Sequence, residues 1–331
     1  MNEIATDKKG RVLVLDIAKG IGVFFVIAGH APSIFPEYIR FWIGSFHMPL
    51  FFLISGYFAK PIREKLLLSK SLVKKIRKLF FPYIVYSIIW ILLSYFSGCI
   101  KMSELKKNLV NTIIGTVDGV QWFFLCLFVV SVLFIIITYF VKTDILITII
   151  VATFVVAGYS MGRLGVSNLF RFGTACYSIG FYYLGYLTHK HRESVIKRFN
   201  KYKIHIIVAV VITELVVLML NRYVLDLMVN YEIDILFNYY IALSGCVMVY
   251  VISKICARII VVRGCLAYIG RWSLFFYPIT NYTAYFLVKF LEHTTRVSII
   301  SYCISFSLAT ICSLIAQKTP LILEGFVKKG R

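Results

Sequence analysis

Three ionisable side chains lie within one strongly apolar segment near the start of the chain: Asp16, Lys19 and His30. If the segment is helical, with about 100° between successive residues, the three side chains fall within about 60° of one another and form one polar stripe. Lys19 and His30 are then about 16 Å apart along the helix axis. A charge at bilayer depth costs roughly 2.5–3.5 kcal/mol, so a stripe of this kind is a candidate for acid–base or anion-binding chemistry.

The roles within this stripe follow from distance and from side-chain chemistry. His30 is the best candidate for a general base, because an imidazole ordinarily has a pKa of about 6.5. Asp16 lies about 21 Å from His30 on an ideal helix, which is too far to orient the imidazole, so we expect Asp16 to hold Lys19 or a partner on another helix. A plainer interpretation stays open, in which Asp16 and Lys19 only neutralise each other and His30 caps the helix end.

Other apolar segments carry weaker candidates for a substrate pocket. His47 precedes the helix-breaking Pro49 and is either a pocket residue or a boundary histidine. Ser55 is typical of close helix packing, with a pocket role as the alternative. Glu214 lies well inside a later apolar segment and is a potential partner for Lys19 or another cation. Arg271, near the predicted cytoplasmic start of the ninth span, either reaches for the membrane surface or contacts a phosphate.

A basic stretch over residues 60–78 contains eight Lys and Arg residues and a single acid. Four of these bases directly precede the next apolar segment: Lys74, Lys75, Arg77 and Lys78. Such a run commonly sets membrane topology and contacts lipid headgroups. It also supplies what a cytoplasmic site for a phosphorylated donor needs.

Composition restricts the class of protein that must position these residues. Of 331 residues, 60% are hydrophobic and only 15% are charged, with a mean hydropathy of +0.84. These values exclude a soluble enzyme, a disordered chain and a nucleic-acid-binding module. The net charge of +21 therefore indicates cytoplasmic segments beside an anionic lipid leaflet rather than a nucleic-acid partner. The eight cysteines show no zinc-type spacing, and we expect no metal.

The apolar segments predict an all-α, polytopic integral membrane protein with about ten transmembrane helices. Basic residues are most frequent in alternate connections, which predicts that the N- and C-termini are both cytoplasmic in a multi-pass protein of the cell membrane. No connection is long enough for a separate soluble domain, so residues 1–331 are expected to form a single membrane-embedded domain. The predicted spans are 12–30, 39–59, 79–98, 121–141, 144–159, 171–188, 203–220, 235–253, 264–290 and 297–317.

Several of these segments resemble motifs of the acyltransferase 3 family of integral membrane acyltransferases. The resemblance rests on LDIAKG with Gly29 and His30, on FHMPLFFLISGY beginning at Phe46, and on basic residues before Pro82-Tyr83. It extends to QWFFL, which begins with Gln121 and Trp122, and to GRWSLFFY, which begins at Gly270. Lysine rather than arginine at position 19 is most similar to the fucose 4-O-acetylase-like branch.

The resemblance implies an enzyme with about ten spans that moves acetyl from cytoplasmic acetyl-CoA to a sugar hydroxyl. The acceptor would be a cell-envelope or capsular polysaccharide or its lipid-linked precursor. The family's Arg-x10-His motif corresponds to Lys19 and His30, and its donor-contacting Arg-x-x-Arg motif is approximated by Lys74 with Arg77, or by Lys75 with Lys78. His47 and Trp122 would shape the pocket or steer the acceptor. Many relatives have a histidine where this chain has Thr280, so any acceptor role for that histidine is absent.

Two other functions remain open on the sequence. A transporter or flippase of a lipid-linked or acidic solute would use Asp16, Lys19, His30 and Glu214 as a proton or substrate relay. A non-catalytic membrane partner in polysaccharide assembly would explain Lys19 in place of arginine and Thr280 in place of histidine.

Overall fold

The computed structural model describes residues 12–116, 119–166, 168–220, 234–290 and 295–318. Every element within these residues is helical, and no strand is assigned to them. The prediction of an all-α polytopic membrane protein is confirmed. The predicted cytoplasmic termini lie outside the described residues at both ends of the chain, and their location stays a prediction.

The chain divides into two compact units. Unit 1 comprises residues 1–57 and 187–331, and unit 2 comprises residues 58–186. Whether the two together form one functional domain stays a prediction. The helices of unit 1 are α1 (Leu13–Gly29), α2 (Glu37–Gly44), α3 (His47–Tyr57), α10 (Arg192–Lys201), α11 (Lys203–Leu220), α12 (Ile235–Cys256), α13 (Ile260–Arg271), α14 (Ser273–Phe290) and α15 (Thr295–Lys318).

Unit 2 contains the helices between these two parts of the chain. Its first helix continues through a π-helical turn into the second, and a short 3-10 turn precedes its last helix, whose final four residues belong to unit 1. The elements are α4 (Lys65–Lys75), the π turn (Ile76–Phe80), α5 (Phe81–Phe96), α6 (Met102–Ile114), α7 (Trp122–Phe140), α8 (Asp144–Arg163), the 3-10 turn (Leu169–Arg171) and α9 (Phe172–Lys190).

Seven helical segments of the described part are long and apolar enough to cross a membrane. Helix α1 has 17 residues, which gives it a length of about 26 Å against a hydrocarbon core of about 30 Å. The number of ten spans therefore stays a prediction. The seven segments are Glu37–Tyr57, Lys65–Phe96, Trp122–Phe140, Asp144–Arg163, Lys203–Leu220, Ile235–Cys256 and Arg296–Ile315.

The expected ninth span, 264–290, is not one continuous helix. The helix ends at Arg271, Trp272 leaves the helical conformation with φ −103° and ψ 17°, and α14 starts at Ser273. Because the break separates the two halves, Arg271 lies at the C-terminal end of α13. Arg271 also lies two residues before α14 begins, so its placement near the start of a span stays a prediction.

The basic stretch 60–78 is also more ordered than a plain connection. Most of it forms α4, which continues through the π turn into α5, so that Lys65–Phe96 is one 32-residue helical segment. A π-helical turn widens the backbone by one residue and rotates the side chains that follow. The positions of Lys74, Lys75, Arg77 and Lys78 are thus fixed by a helix rather than by a loop.

Candidate functional site

Asp16 and Lys19 form an ion pair on the first helix. The Lys19 Nζ lies 2.6 Å from an Asp16 carboxylate oxygen, as the spacing of three residues on one helix face allows. Both side chains are largely enclosed, with 11% of the Asp16 side chain and 22% of the Lys19 side chain exposed. The expectation that Asp16 holds Lys19 is met in this contact, and the role of the pair in chemistry stays a prediction.

Two glycines bring α13 against α1 beside this pair. A Cβ added to Gly270 would collide with the main-chain carbonyl of Asp16, and one added to Gly20 would collide with the carbonyl of Leu266. The absence of side chains therefore lets the two backbones touch. The partner of Gly20 is thus a helix backbone, which encloses Asp16 from one side.

His30 occupies the C-terminal end of α1, directly after the last helical residue. Its main-chain N–H donates to the carbonyls of Val26 and Ile27, each at 3.2 Å, and its side chain is exposed. The hydroxyl of Tyr302 in α15 donates to the main-chain carbonyl of His30 at 2.7 Å. The helix end that presents the imidazole is therefore tied to α15, a contact that the sequence did not indicate.

Glu214 meets an indole rather than a cation. The Nε1 of Trp42 donates to its carboxylate at 2.7 Å, and only 5% of Glu214 is exposed. The suggested pairing of Glu214 with Lys19 was wrong, because Lys19 is held by Asp16. The indole also packs edge-on against the rings of Phe25 and Phe46, which fixes its orientation toward α11.

The remaining candidates of unit 1 occupy separate positions. The Nδ1 of His47 lies 2.8 Å from the carbonyl of Ile43, across the junction between α2 and α3. Ser55 is half-buried within α3, and Arg271 is exposed at the end of α13. The hydroxyl of Thr280 donates to the carbonyl of Phe276 within its own helix at 2.7 Å.

Lys75 is distinguished from its basic neighbours by its surroundings in unit 2. Its Nζ donates to the hydroxyl of Ser131 at 3.1 Å and lies 6.0 Å from the centre of the Tyr182 ring. Lys74 and Arg77 are exposed, and Lys78 is half-buried. Among the four predicted donor-binding bases, Lys75 is the one that these contacts direct into the helix packing of unit 2.

Gln121 and Trp122 start helix α7 in the interior of unit 2. Gln121 is fully buried, and 6% of Trp122 is exposed. Gly119 has a φ of +137°, and a Cβ there would lie 2.8 Å from the side-chain oxygen of Gln121. The turn before α7 therefore requires glycine at position 119. The Gln121 amide lies against the main chain of this glycine.

Arg171 is a buried charged residue that sequence reasoning placed at a membrane boundary. Only 6% of the residue is exposed. No compositional signal marks this position, because its burial depends on the unusual backbone of the turn before α9. Together with Tyr302, it is a residue of potential functional importance that the sequence did not reveal.

The fold and these contacts define the class of the protein: a polytopic, all-helical membrane protein with charged side chains enclosed in its helix packing. The chain belongs to the acyltransferase 3 family, whose model, described as an acyltransferase domain, matches residues 12–318. The resemblance noted from the motifs is thereby confirmed.

A nodulation protein, NolL of Mesorhizobium japonicum, is similar to part of the chain. The two are 28% identical over 181 residues, which is 52% of this chain and 47% of NolL. The matched part thus spans about half the length of that curated relative. No solved structure shows a significant match.

Proposed function

We propose that the protein transfers an acetyl group from cytoplasmic acetyl-CoA to a sugar hydroxyl. The acceptor is a cell-envelope or capsular polysaccharide or its lipid-linked precursor, and the protein acts in the cell membrane. The observation that carries the proposal is the arrangement on α1, where an enclosed Asp16–Lys19 pair and an exposed imidazole occupy one helix of an acyltransferase.

His30 is the base in this proposal. Its neutral imidazole removes the proton of the acceptor hydroxyl while the oxygen attacks the thioester carbonyl. The carbon–sulfur bond then breaks, and the imidazolium returns the proton to the sulfur of the departing coenzyme. In the stepwise alternative, the acetyl group first resides on the imidazole nitrogen and is passed to the hydroxyl in a second displacement.

The exposure of His30 supports this role, because a base must reach the proton that it removes. The bond from Tyr302 to the His30 carbonyl adds support, since it fixes the main chain from which the imidazole projects. Lys19 contributes positive charge on the same helix, and Asp16 holds its ammonium in one orientation.

The proposal assigns the donor's phosphates to the basic residues of α4 and the π turn. Lys75 is the strongest candidate within unit 2, since it faces Ser131 and Tyr182. Lys74, Arg77 and Lys78 supply further charge along the same helical segment. His47, Gln121, Trp122 and Glu214 remain candidates for shaping a pocket in their respective units.

The decisive experiment measures transfer of radiolabelled acetyl from acetyl-CoA to glycan in inverted membrane vesicles. We expect His30→Ala to abolish transfer while the protein level and membrane insertion stay at wild-type values. The matched control is His205→Ala, because His205 is an exposed histidine of α11 without an assigned role. Retained transfer in His30→Ala would refute the mechanism, and solute flux without consumption of acetyl-CoA would instead favour a transporter.

A further inference from the structure

The C-terminal end of α1 is held by a side chain from α15. The hydroxyl of Tyr302 donates to the main-chain carbonyl of His30 at 2.7 Å. The last carbonyls of an α-helix have no partner within the helix, so they accept from water or from other groups. Tyr302 thus supplies a donor to the residue that carries the exposed imidazole.

A second side chain of α15 reaches α1 one turn further along. Phe306 follows Tyr302 by four residues, and its ring stacks on that of Phe24, with the ring centres 5.4 Å apart and the planes inclined by 22°. Because Phe24 precedes His30 whereas Phe306 follows Tyr302, the two helices run in opposite directions here. The C-terminal part of α1 is therefore held at two points, about 9 Å apart along its axis.

Helix α15 is itself supported by its neighbours in unit 1. The centre of the Phe306 ring lies 5.2 Å from that of Phe276, which is fully buried in α14. Phe276 in turn packs edge-on against Tyr268 of α13, with 6.2 Å between the ring centres. The Tyr268 hydroxyl lies 2.6 Å from the hydroxyl of Ser313, so α13 is also bonded to α15. The side chains that hold α1 thus project from a helix with a fixed position.

His30 occupies a position where such support matters. It directly follows the last residue of α1, and its main chain has φ −97° and ψ 11°, outside the regular helical conformation. The ends of helices fray, because their last carbonyls lack partners within the helix. The imidazole projects from the Cα next to the bonded carbonyl. Fixing that carbonyl therefore restricts the directions in which the imidazole points.

The direction of the imidazole matters for catalysis by a base. A base must lie within hydrogen-bond reach of the proton that it removes. A displacement of about 1 Å can lower the rate of such a step about a hundredfold. A contact that fixes the main chain of the base therefore affects the rate without taking part in the chemistry.

We propose that Tyr302 is a positioning residue that orients His30, with Phe306 holding α15 against the same helix. This deepens the proposed function, on which it rests for the role of His30 as the base. Tyr302 acts through the main chain of His30 and does not touch the reacting atoms.

Acetyl transfer by Tyr302→Phe in inverted membrane vesicles tests this role. We expect kcat to fall about tenfold while KM for acetyl-CoA stays within about twofold of the wild-type value, because the variant loses an orienting bond and no ligand contact. The pH at which kcat is half-maximal should not change, since the hydroxyl donates to the main chain rather than to the imidazole. An unchanged kcat, a fall confined to a higher KM, or a shifted pH profile would overturn the proposal.

Tyr240→Phe is the matched control. The Tyr240 hydroxyl of α12 lies 2.7 Å from the hydroxyl of Thr213 in α11, so this variant loses a bond of the same length elsewhere in unit 1. We expect its kcat to stay at the wild-type value. A merely structural loss would lower the activity of both variants alike, in proportion to the amount of folded protein. An equal fall in kcat for Tyr240→Phe and Tyr302→Phe would therefore overturn the positioning role.

Hydrogen exchange tests the same contact without any acetyl transfer. In the purified full-length protein in detergent, we expect the amides of residues 28–31 to exchange about threefold faster in Tyr302→Phe than in the wild type or in Tyr240→Phe. Unchanged exchange would overturn the proposal. Faster exchange in Tyr302→Phe, together with a wild-type protein that transfers no acetyl group, would refute the proposed function and leave the contact in place.

Discussion

Charged side chains within the helix packing have different kinds of partner in the two units. In unit 1, Lys19 is neutralised by Asp16, and the carboxylate of Glu214 is bonded to the indole of Trp42. In unit 2, the Lys75 ammonium donates to the Ser131 hydroxyl and lies over the Tyr182 ring, while the acids that the structure describes there are exposed. Charges matched within the protein can be structural, whereas cations among neutral groups are suited to an anionic ligand. The difference provides a criterion for telling the two kinds of site apart.

The largest effect is expected where unit 1 encloses its ion pair. Gly270→Ala places a methyl group against the main-chain carbonyl of Asp16, so α13 must move away from α1. We expect the free energy of unfolding in detergent to fall by about 3 kcal/mol. Gly264→Ala in the same helix is the control, because nothing lies within 4 Å of its Cβ, and it should raise stability by up to about 1 kcal/mol. Equal stability of the two variants would contradict the close packing.

A second test separates a structural from a functional ion pair. Lys19→Met leaves the Asp16 carboxylate enclosed without its cation, and we expect a loss of about 2 kcal/mol in the free energy of unfolding. The double variant Asp16→Leu/Lys19→Met removes both charges and should recover most of that stability.

Acetyl transfer then decides between the two interpretations of the pair. Under the proposed function, the double variant stays inactive despite its recovered stability. Wild-type activity in the double variant would show that Asp16 and Lys19 only neutralise each other. His30 would then be the single residue of α1 that supports a catalytic role for this helix.

How much of this could be predicted depends on the sequence distance between partners. The Asp16–Lys19 contact follows from helical spacing, so the sequence alone indicated it. The Trp42–Glu214 bond joins residues 172 positions apart, and no local pattern predicts such a pairing. The burial of Arg171 depends on two left-handed residues at 170 and 171, whose types give no sign of that conformation.

The boundaries of helices show the same limit. Apolar runs located most helices of the described chain, since hydrophobicity is a property of the segment itself. The break at Trp272 separates two apolar stretches without changing their composition, so 264–290 was expected as one span. The π turn over 76–80 likewise leaves hydropathy unaltered, so the apolar pattern does not reveal it.

The hydrogen bond between Trp42 and Glu214 provides a smaller test of unit 1. Trp42→Phe keeps the aromatic packing but removes the donor, leaving a buried carboxylate oxygen without its partner. We expect a loss of about 1–2 kcal/mol in the free energy of unfolding. Adding Glu214→Leu removes the carboxylate that has lost its donor, and it should restore most of the lost free energy of unfolding. An unaffected Trp42→Phe variant would mean that the carboxylate does not depend on the indole, which weakens the contrast between the units.

The smallest effect, and the one of opposite sign, is expected in unit 2. Lys75→Met makes the same replacement as Lys19→Met, in which methionine keeps most of the lysine's volume and loses its charge. At position 75, however, the lost cation has a hydroxyl and an aromatic ring as its described contacts. Replacing an enclosed charge by an apolar side chain of similar volume is often stabilising, so we expect the free energy of unfolding to rise by up to about 1 kcal/mol. Under the proposed function, the gain should be accompanied by weaker binding of acetyl-CoA, because a ligand site trades stability for affinity. If Lys75→Met instead lost as much stability as Lys19→Met, the ammonium would have to be neutralised within the protein, and the distinction between the two units would disappear.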